Sequence, residues 1–172
     1  WACWAHPAWS RRGRRSRRRR ARTHSQRATR DARSGGAAET LVSNDGAIAG
    51  ALEVDDGDVY YAGKCGFDAG CEVRRYSKRT RAVSTILGDD VINDAVSMKI
   101  AGGYLYWSGT DRSSARVIQR LPLGGGAVQT IVANDADLNA VQNYPTGFIK
   151  VGEGNVYYAG SLTKRGPKSG GT

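Results

Sequence analysis

The feature that most constrains this chain is an internal repeat of short aromatic hairpins. The segments EVDDGDVYYAG, KIAGGYLYWSG and KVGEGNVYYAG begin at Glu53, Lys99 and Lys150, so the steps between them are 46 and 51 residues. Each segment reads as an apolar strand, a glycine-containing turn and a strand with an aromatic pair, and the turn glycines predict the positive φ of two-residue hairpins. One hairpin alone is marginally stable in water, so we expect the copies to pack on one another.

Two further sets of equivalent positions recur at a constant spacing of 45 residues. The sets are Arg75, Arg120 and Arg165, and Thr40, Thr85 and Thr130. A period in the mid-forties, built from short strands and glycine-rich turns, is typical of β-propeller blades. No segment has apolar residues at helical spacing over three turns, so helical repeats are not expected.

The repeat predicts an all-β fold, an incomplete β-propeller of four-stranded antiparallel blades. We expect an outer strand at 38–43, blades at 52–87 and 96–133, and a partial blade at 147–172, all within a domain that spans 34–172. Closed propellers have about four to eight blades. The sequence therefore predicts a fragment of a larger propeller, or alternatively two chains in which strand 38–43 of each completes the unfinished blade of the other.

The start of the chain differs sharply in composition from the rest. Residues 1–36 contain twelve arginines, one aspartate and no lysine, a net charge of +11, whereas the whole chain carries +10. Residues 1–33, which we call the basic tail, have no Leu, Ile, Val, Phe or Tyr to build a core. They are predicted to be disordered. The abrupt change of composition also supports the hypothesis that the basic tail is not native sequence.

The blade pattern resembles the bacterial propellers related to YWTD and NHL repeats. In those blades an apolar strand, Asp-Gly, a Tyr-Tyr or Tyr-Trp pair, a V.R.PL.GG segment and a Thr-rich strand follow in order. The segment YWSGTD, Tyr106 to Asp111, is similar to a stretched YWTD motif, and the resemblance covers about residues 34–172. No aspartate directly follows the aromatic pair, so no role of that residue is carried over. The resemblance implies a scaffold whose ligands differ among family members.

Candidate binding residues lie in the loops that, in propellers, share the ligand-binding face. These loops are GDDVINDAV, the Cys65–Cys71 loop and the insertion NDADLNAVQNYPTG. Four polar side chains of the insertion are the candidate ligand contacts, those of Asn139, Gln142, Asn143 and Tyr144. A longer surface loop without a partner is the alternative, because insertions between repeats are well tolerated.

The two cysteines of GKCGFDAGCEV, Cys65 and Cys71, are predicted to form a disulfide that closes this loop. Two free thiols in a cytosolic protein are the alternative. A disulfide favours an extracytoplasmic location, either periplasmic, surface-anchored or secreted, for the parent protein. No export signal is visible in this chain, because its only semi-apolar N-terminal stretch precedes the arginines. No run of about 18 apolar residues occurs, so no transmembrane span is expected.

Neither a catalytic site, a metal site nor a cofactor is predicted. Histidine occurs only at His6 and His24 in the basic tail, so no serine or threonine of the predicted blades has a histidine base. These histidines and Cys3 have irregular spacing for zinc. The acidic cluster at 55–58 looks like a calcium loop but lacks the required later glutamate.

The sequence therefore predicts a non-catalytic scaffold or binding module from a larger exported bacterial protein, which binds a protein or a glycan through one loop face. One alternative is a propeller lyase or lactonase whose catalytic residues lie in other blades. A second is nucleic-acid binding by the basic tail, which would be non-specific because arginines bind phosphates by charge. Self-association through unpaired blade edges is also expected.

Overall fold

The fold is all-β, with a strongly curled antiparallel sheet as its main element. The computed structural model describes residues 28–30, 35–43, 45–46, 51–66, 70–133, 135–139, 148–159 and 162–170. One short helix, α1 (Ala136–Asn139), lies among them. In these described ranges there is no helix with the length and apolar character needed to cross a membrane.

The strands form three sheets in which each strand pairs antiparallel with its neighbour in sequence. The two-stranded sheet contains β1 (Ala28–Arg30) and β2 (Glu39–Val42). The seven-stranded sheet contains β3 (Leu52–Val54), β4 (Asp58–Gly66), β5 (Gly70–Ser77), β6 (Val83–Ala101), β7 (Tyr104–Asp111), β8 (Arg116–Pro122) and β9 (Gln129–Ala133). The three-stranded sheet contains β10 (Ile149–Val151), β11 (Asn155–Ala159) and β12 (Thr163–Pro167).

The 19-residue strand β6 changes partners halfway along its length. Its residues 83–92 pair with β5 and its residues 92–101 pair with β7, with register shifts on both sides of Ile92. The chain therefore contains three strand groups. The first group is β3, β4, β5 and 83–92, the second is 92–101, β7, β8 and β9, and the third is β10, β11 and β12.

The continuity of β6 corrects one expectation. The sequence predicts a loop at GDDVINDAV, yet residues 88–96 are strand. The side chain of Asn93 holds this segment against the end of β7, because its amide donates to the Asp111 carbonyl oxygen at 2.9 Å. Arg112 in turn donates to the Asn93 side-chain oxygen at 2.8 Å. These contacts keep the chain extended where a connection between blades is predicted.

The three strand groups pair in the same register. Across the first hairpin the equivalent pairs are Val54 with Val59, Ile100 with Leu105, and Val151 with Val156. Across the next two strands they are Tyr60 with Arg75, Tyr106 with Arg120, and Tyr157 with Arg165. In every group an aromatic residue therefore lies opposite an arginine.

The hairpin turns agree with the predicted backbone conformation in one group only. Gly102 and Gly103 have φ of 57° and 78°, as a two-residue turn requires. Gly57 and Gly154 do not have positive φ, so the prediction is wrong for these two turns. In the first group the side chain of Asp55 closes the turn instead, since it accepts hydrogen bonds from the backbone amides of Gly57 at 2.9 Å and Asp58 at 2.7 Å.

Part of the basic tail also differs from its prediction. Residues 28–30, predicted to be disordered, form β1, in which Arg30 pairs with Glu39 of β2. The same pairing occurs 90 residues later, where Arg120 pairs with Gln129. The pairing pattern of the strand groups therefore extends upstream into the basic tail. The rest of the tail lies outside the described residues.

Three hydrophobic clusters lie between successive sheets and strand groups. The cluster between β2 and the first group contains Val42, Val59, Tyr61 and Tyr76. The cluster between the first and second groups includes Tyr60, Val73, Met98, Trp107 and Leu121. The cluster between the second and third groups includes Tyr106, Ile118, Ile149, Val156 and Tyr158. The core is thus divided among the interfaces between neighbouring groups.

The two aromatic rings of each pair point to opposite sides of their strand group, as the alternation of a β-strand requires. The second ring packs toward the preceding element, as seen for Tyr61, Trp107 and Tyr158. The first ring packs toward the following group at Tyr60 and Tyr106. At the equivalent position of the third group, Tyr157 is 41% exposed. The sequence predicts this stacking of one hairpin on the next.

Candidate functional site

A cavity of about 290 Å³ lies between the first and second strand groups. The first group contributes Tyr60 of β4, Arg75 of β5 and Ile86 of β6, and the second contributes residues 121–126. This lining lies near the strand ends that are opposite the Cys65–Cys71 loop. Pockets for drug-sized ligands begin at about 300 Å³, so this cavity has the size for a small molecule.

The segment LPLGGG, residues 121–126, forms the wall contributed by the second group. The amide of Gly125 donates to the Pro122 carbonyl oxygen at 3.0 Å, which closes a turn. Gly125 and Gly126 have φ of 92° and 136°, conformations that glycine adopts without strain. The turn therefore presents bare backbone beside the apolar side chains of Leu121, Pro122 and Leu123.

Arg75 carries the positive charge of this lining. Its Nε is buried, and none of the described residues accepts a hydrogen bond from it. The nearest carboxylate oxygen, Oδ2 of Asp58, lies 4.0 Å from Nε, which is an ion-pair distance but too long for a hydrogen bond. A guanidinium with a desolvated and unused N–H retains capacity to bind an acceptor.

The equivalent arginine of the second group is engaged within the protein. Arg120 Nε donates to the side-chain oxygen of Gln129 at 2.7 Å, and its guanidinium lies 4.3 Å from the ring centre of Tyr104. The residue paired with Arg75 in the corresponding place is Ser84. A serine hydroxyl is too short to replace the glutamine amide. The two arginines thus share a register position, but only the Nε of Arg120 donates a hydrogen bond to a neighbouring side chain of the described structure.

Tyr60 provides a neutral hydroxyl beside the cavity. Burial raises the pKa of its hydroxyl to about 12, and the charges of Asp55 and Asp58 add to the effect. The phenol is therefore protonated at neutral pH. Its hydroxyl lies 3.5 Å from Oδ2 of Asp58, at the limit of a hydrogen bond.

Two other sites place a carboxylate between a tyrosine and a cation, and we call them carboxylate clamps. The first clamp contains Asp45, Tyr61 and Arg74, and the second contains Asp135, Tyr158 and Lys164. In the second clamp the Asp135 carboxylate accepts hydrogen bonds of 3.0 Å from the Tyr158 hydroxyl and from the Lys164 ammonium group. Asp45 follows β2 and Asp135 follows β9. Each clamp therefore connects the segment after that strand to the strand group that comes next in the sequence.

In the first clamp, Asp45 accepts hydrogen bonds from the Tyr61 hydroxyl and the Arg74 guanidinium. Burial raises the pKa of Tyr61 to about 12, with a smaller contribution from the charge of Glu72. Tyr61 is therefore a protonated donor to the carboxylate at neutral pH. The buried hydroxyl and the guanidinium together compensate the charge of Asp45.

At the clamp positions the second strand group has Asp90, Trp107 and Gln119, so only the aspartate recurs there. Asp90 is exposed on β6. Trp107 and Gln119 are cross-strand neighbours, and within the described structure neither Nε1 of Trp107 nor Oε1 of Gln119 has a hydrogen-bond partner. In the described part of the chain, the first and third strand groups thus form a carboxylate clamp and the second group does not.

Most of the predicted binding residues cannot be placed. Asn139 is the last residue of α1, and nothing is described of its side chain. The other three, Gln142, Asn143 and Tyr144, lie outside the described residues. The helix itself is anchored, because Leu138 is buried in the cluster between the second and third groups. The predicted loop face therefore stays a prediction.

The predicted cysteine pair does come together. The sulfur atoms of Cys65 and Cys71 lie 2.12 Å apart, at the distance of a disulfide bond. The pair connects the end of β4 to the beginning of β5. This is weak support for an extracytoplasmic protein.

No metal centre is found where the structure can be described. The described ranges contain no group of three or more His, Cys, Asp or Glu side chains able to hold a metal ion. In the acidic cluster at 55–58, Asp55 accepts hydrogen bonds from the backbone of its own turn. Cys3, His6 and His24 lie outside the described residues.

The sequence reasoning missed both the cavity and the carboxylate clamps. A signal for the clamps was present, since Asp45, Asp90 and Asp135 recur every 45 residues. The cavity had no such signal, because it depends on the length of the side chain opposite Arg75. That difference becomes visible only when the strand registers are known.

Comparison with known proteins adds no family name. No protein-family model matches this chain, and no curated protein matches it either.

Proposed function

We propose that this chain is a propeller-type repeat scaffold that acts as a binding module and not as an enzyme. The observation that carries the proposal is the common register of the three strand groups, each with an aromatic residue opposite an arginine. The stacking of successive groups through alternate aromatic rings supports it. Each group would then be one blade, or part of one, and the similarity to YWTD and NHL repeats would reflect this architecture.

Further units would pack on the third strand group. Tyr60 and Tyr106 are covered by the group that follows each of them, whereas Tyr157 at the equivalent position is 41% exposed. Within the described structure the outer edge of β12 pairs with no strand. Since three blades are too few for a closed ring of about four to eight, these surfaces suit additional blades from a larger protein or from a second copy.

The loop face is the proposed binding surface, and its ligand is a protein or a glycan. The insertion at 134–147 connects β9 to β10 in the sequence, and it carries amide and phenol groups suited to polar ligands. The cysteine pair at disulfide distance fits an exported parent protein, where such ligands occur. The binding residues of this proposal are Asn139, Gln142, Asn143 and Tyr144.

An alanine variant of those four residues tests the binding face. The wild-type chain is screened on glycan arrays and against extracellular protein extracts, and each hit is measured by biolayer interferometry. We expect the four-residue variant to weaken binding at least about tenfold, or about 1.4 kcal/mol. A matched double variant, Arg79→Ala with Ser169→Ala, changes exposed turns at the opposite strand ends and should bind like wild type.

Two outcomes would contradict the proposal. Unchanged affinity of the four-residue variant for every hit would remove the loop face as the binding surface. Chemical conversion of a bound glycan by the wild-type chain, followed by mass spectrometry, would show an enzyme instead of a binding module.

A further inference from the structure

We propose that the cavity between the first and second strand groups binds a small organic monocarboxylate, held by Arg75. This site lies near the strand ends opposite Cys65 and Cys71, and it does not depend on the proposed function. The proposal rests on the lining of the cavity and on the contrast between two arginines that occupy the same register.

Arg75 has unused hydrogen-bonding capacity. Its Nε is buried without a hydrogen-bond partner among the described residues, although the side chain lines a cavity of about 290 Å³. A buried donor that makes no hydrogen bond costs free energy. The Nε atom itself is covered, but the Arg75 side chain as a whole is 39% exposed. An acceptor that enters the cavity and turns the guanidinium toward itself removes that cost. The planar guanidinium fork matches a carboxylate in particular, because both oxygens can bind at once.

Arg120, which occupies the same register position in the second group, finds its acceptor within the protein. In the second group, Gln129 and Tyr104 occupy the guanidinium, so Arg120 has an internal acceptor. In the first group, Ser84 replaces the glutamine and Asp58 stands 4.0 Å from Nε. At the same register position, Arg120 is therefore hydrogen-bonded to Gln129, whereas Arg75 lines a cavity. Because Arg75 lacks such an internal acceptor, we expect it to bind an acceptor that comes from outside the protein.

The remaining lining defines which acceptor fits. Ile86, Leu121, Pro122 and Leu123 provide apolar surface, which favours an organic molecule over an inorganic ion. The nearby Asp58 disfavours a dianion such as phosphate, because it repels a second negative charge. The Tyr60 hydroxyl already donates to Asp58 at 3.5 Å, so it offers the ligand a neutral acceptor for a hydroxyl group. A monocarboxylate with an apolar or sugar body combines these requirements.

The test uses the full chain, selectively labelled with ¹⁵N-arginine, and follows the Nε–H signals by NMR. The probes are propionate, lactate and glucuronate, with glucose and inorganic phosphate as comparisons. We expect at least one carboxylate to shift the Arg75 signal saturably and to leave the Arg120 signal in place. If no carboxylate moves the Arg75 signal more than glucose does, or if phosphate binds more tightly than all three, the proposal is wrong.

Matched variants separate this site from general charge effects. Ser84→Gln places the Gln129 arrangement opposite Arg75 and is expected to weaken carboxylate binding at least about fivefold without removing any charge. Arg75→Lys should weaken it at least about tenfold, whereas Arg120→Lys should leave it within about twofold. Thermal melts confirm that each variant is folded, and the signal shift in the wild-type chain needs no variant. Equal binding by Arg75→Lys and Arg120→Lys would overturn the assignment.

Discussion

Replacing Asp45 with alanine is expected to lower the free energy of unfolding by about 3–5 kcal/mol, because it breaks a buried ion pair from one side. The side chains of Asp45 and Arg74 are only 10% and 14% exposed. Without the carboxylate, the buried Tyr61 hydroxyl would lose its acceptor, and the Arg74 charge would keep only the ion pair with Glu72, at 3.4 Å from its Nε. Urea unfolding followed by circular dichroism measures the change.

The repeat supplies the matched control for this experiment. Asp90 lies 45 residues after Asp45 at the equivalent position but is exposed on β6. Asp90→Ala is therefore expected to change stability by less than about 0.5 kcal/mol, as ordinary surface substitutions do. If Asp90→Ala lowered the free energy of unfolding as much as Asp45→Ala does, the two positions would be equivalent. The contacts of Asp45 in the carboxylate clamp would then not explain the effect.

The second large effect is expected from Tyr106→Ala, at about 3–5 kcal/mol, the usual cost of deleting a buried aromatic ring. Tyr106 is 1% exposed and packs in the cluster between the second and third strand groups. Removing the ring opens a void at that interface. The free energy of unfolding from urea titration again provides the measurement.

Tyr157→Ala is the control for this second prediction. Tyr157 occupies the same register position, opposite an arginine, but no described strand group covers it. Its replacement should cost less than about 1.5 kcal/mol, since much of the ring is already in water. Similar losses for the two variants would mean that stacking between groups does not determine the stability of this position.

The hairpins, their aromatic alternation and the all-β class were predictable from sequence for a local reason. A strand alternates its side chains between two faces, so the pair Tyr60 and Tyr61 points to opposite sides in any register. The glycine turn at Gly102 and Gly103 was predictable for the same reason, since it depends on backbone preferences.

The features that were missed depend on contacts between distant residues. The single strand β6 runs through 88–96 because Asn93 and Arg112 bind its segment to the end of β7. The turn at Gly57 adopts another conformation because the Asp55 side chain closes it. The composition of the basic tail predicted disorder and so missed β1. This strand pairs with β2 through backbone hydrogen bonds, which need no apolar side chain.

The candidate sites divide in the same way, into local features that the sequence predicted and long-range contacts that it did not. The cysteine pair was predictable because its two residues are close in sequence. The cavity at Arg75 was not, because it arises from the difference between Ser84 and Gln129 opposite two equivalent arginines. Such a difference has a structural meaning only after the pairing register is known.

In the proposed propeller arrangement the strand groups are equivalent units around one axis, and distances between spin labels test this arrangement. Cysteines are introduced pairwise at Arg79, Gly124 and Ser169, which are exposed turn positions spaced by 45 residues, in a Cys3→Ser background that keeps Cys65 and Cys71. Pulsed electron resonance then gives three distances. Equivalent units predict equal distances for 79 to 124 and for 124 to 169, and a distance for 79 to 169 that is longer than either but shorter than their sum. Clearly unequal distances between neighbouring labels would contradict the propeller arrangement.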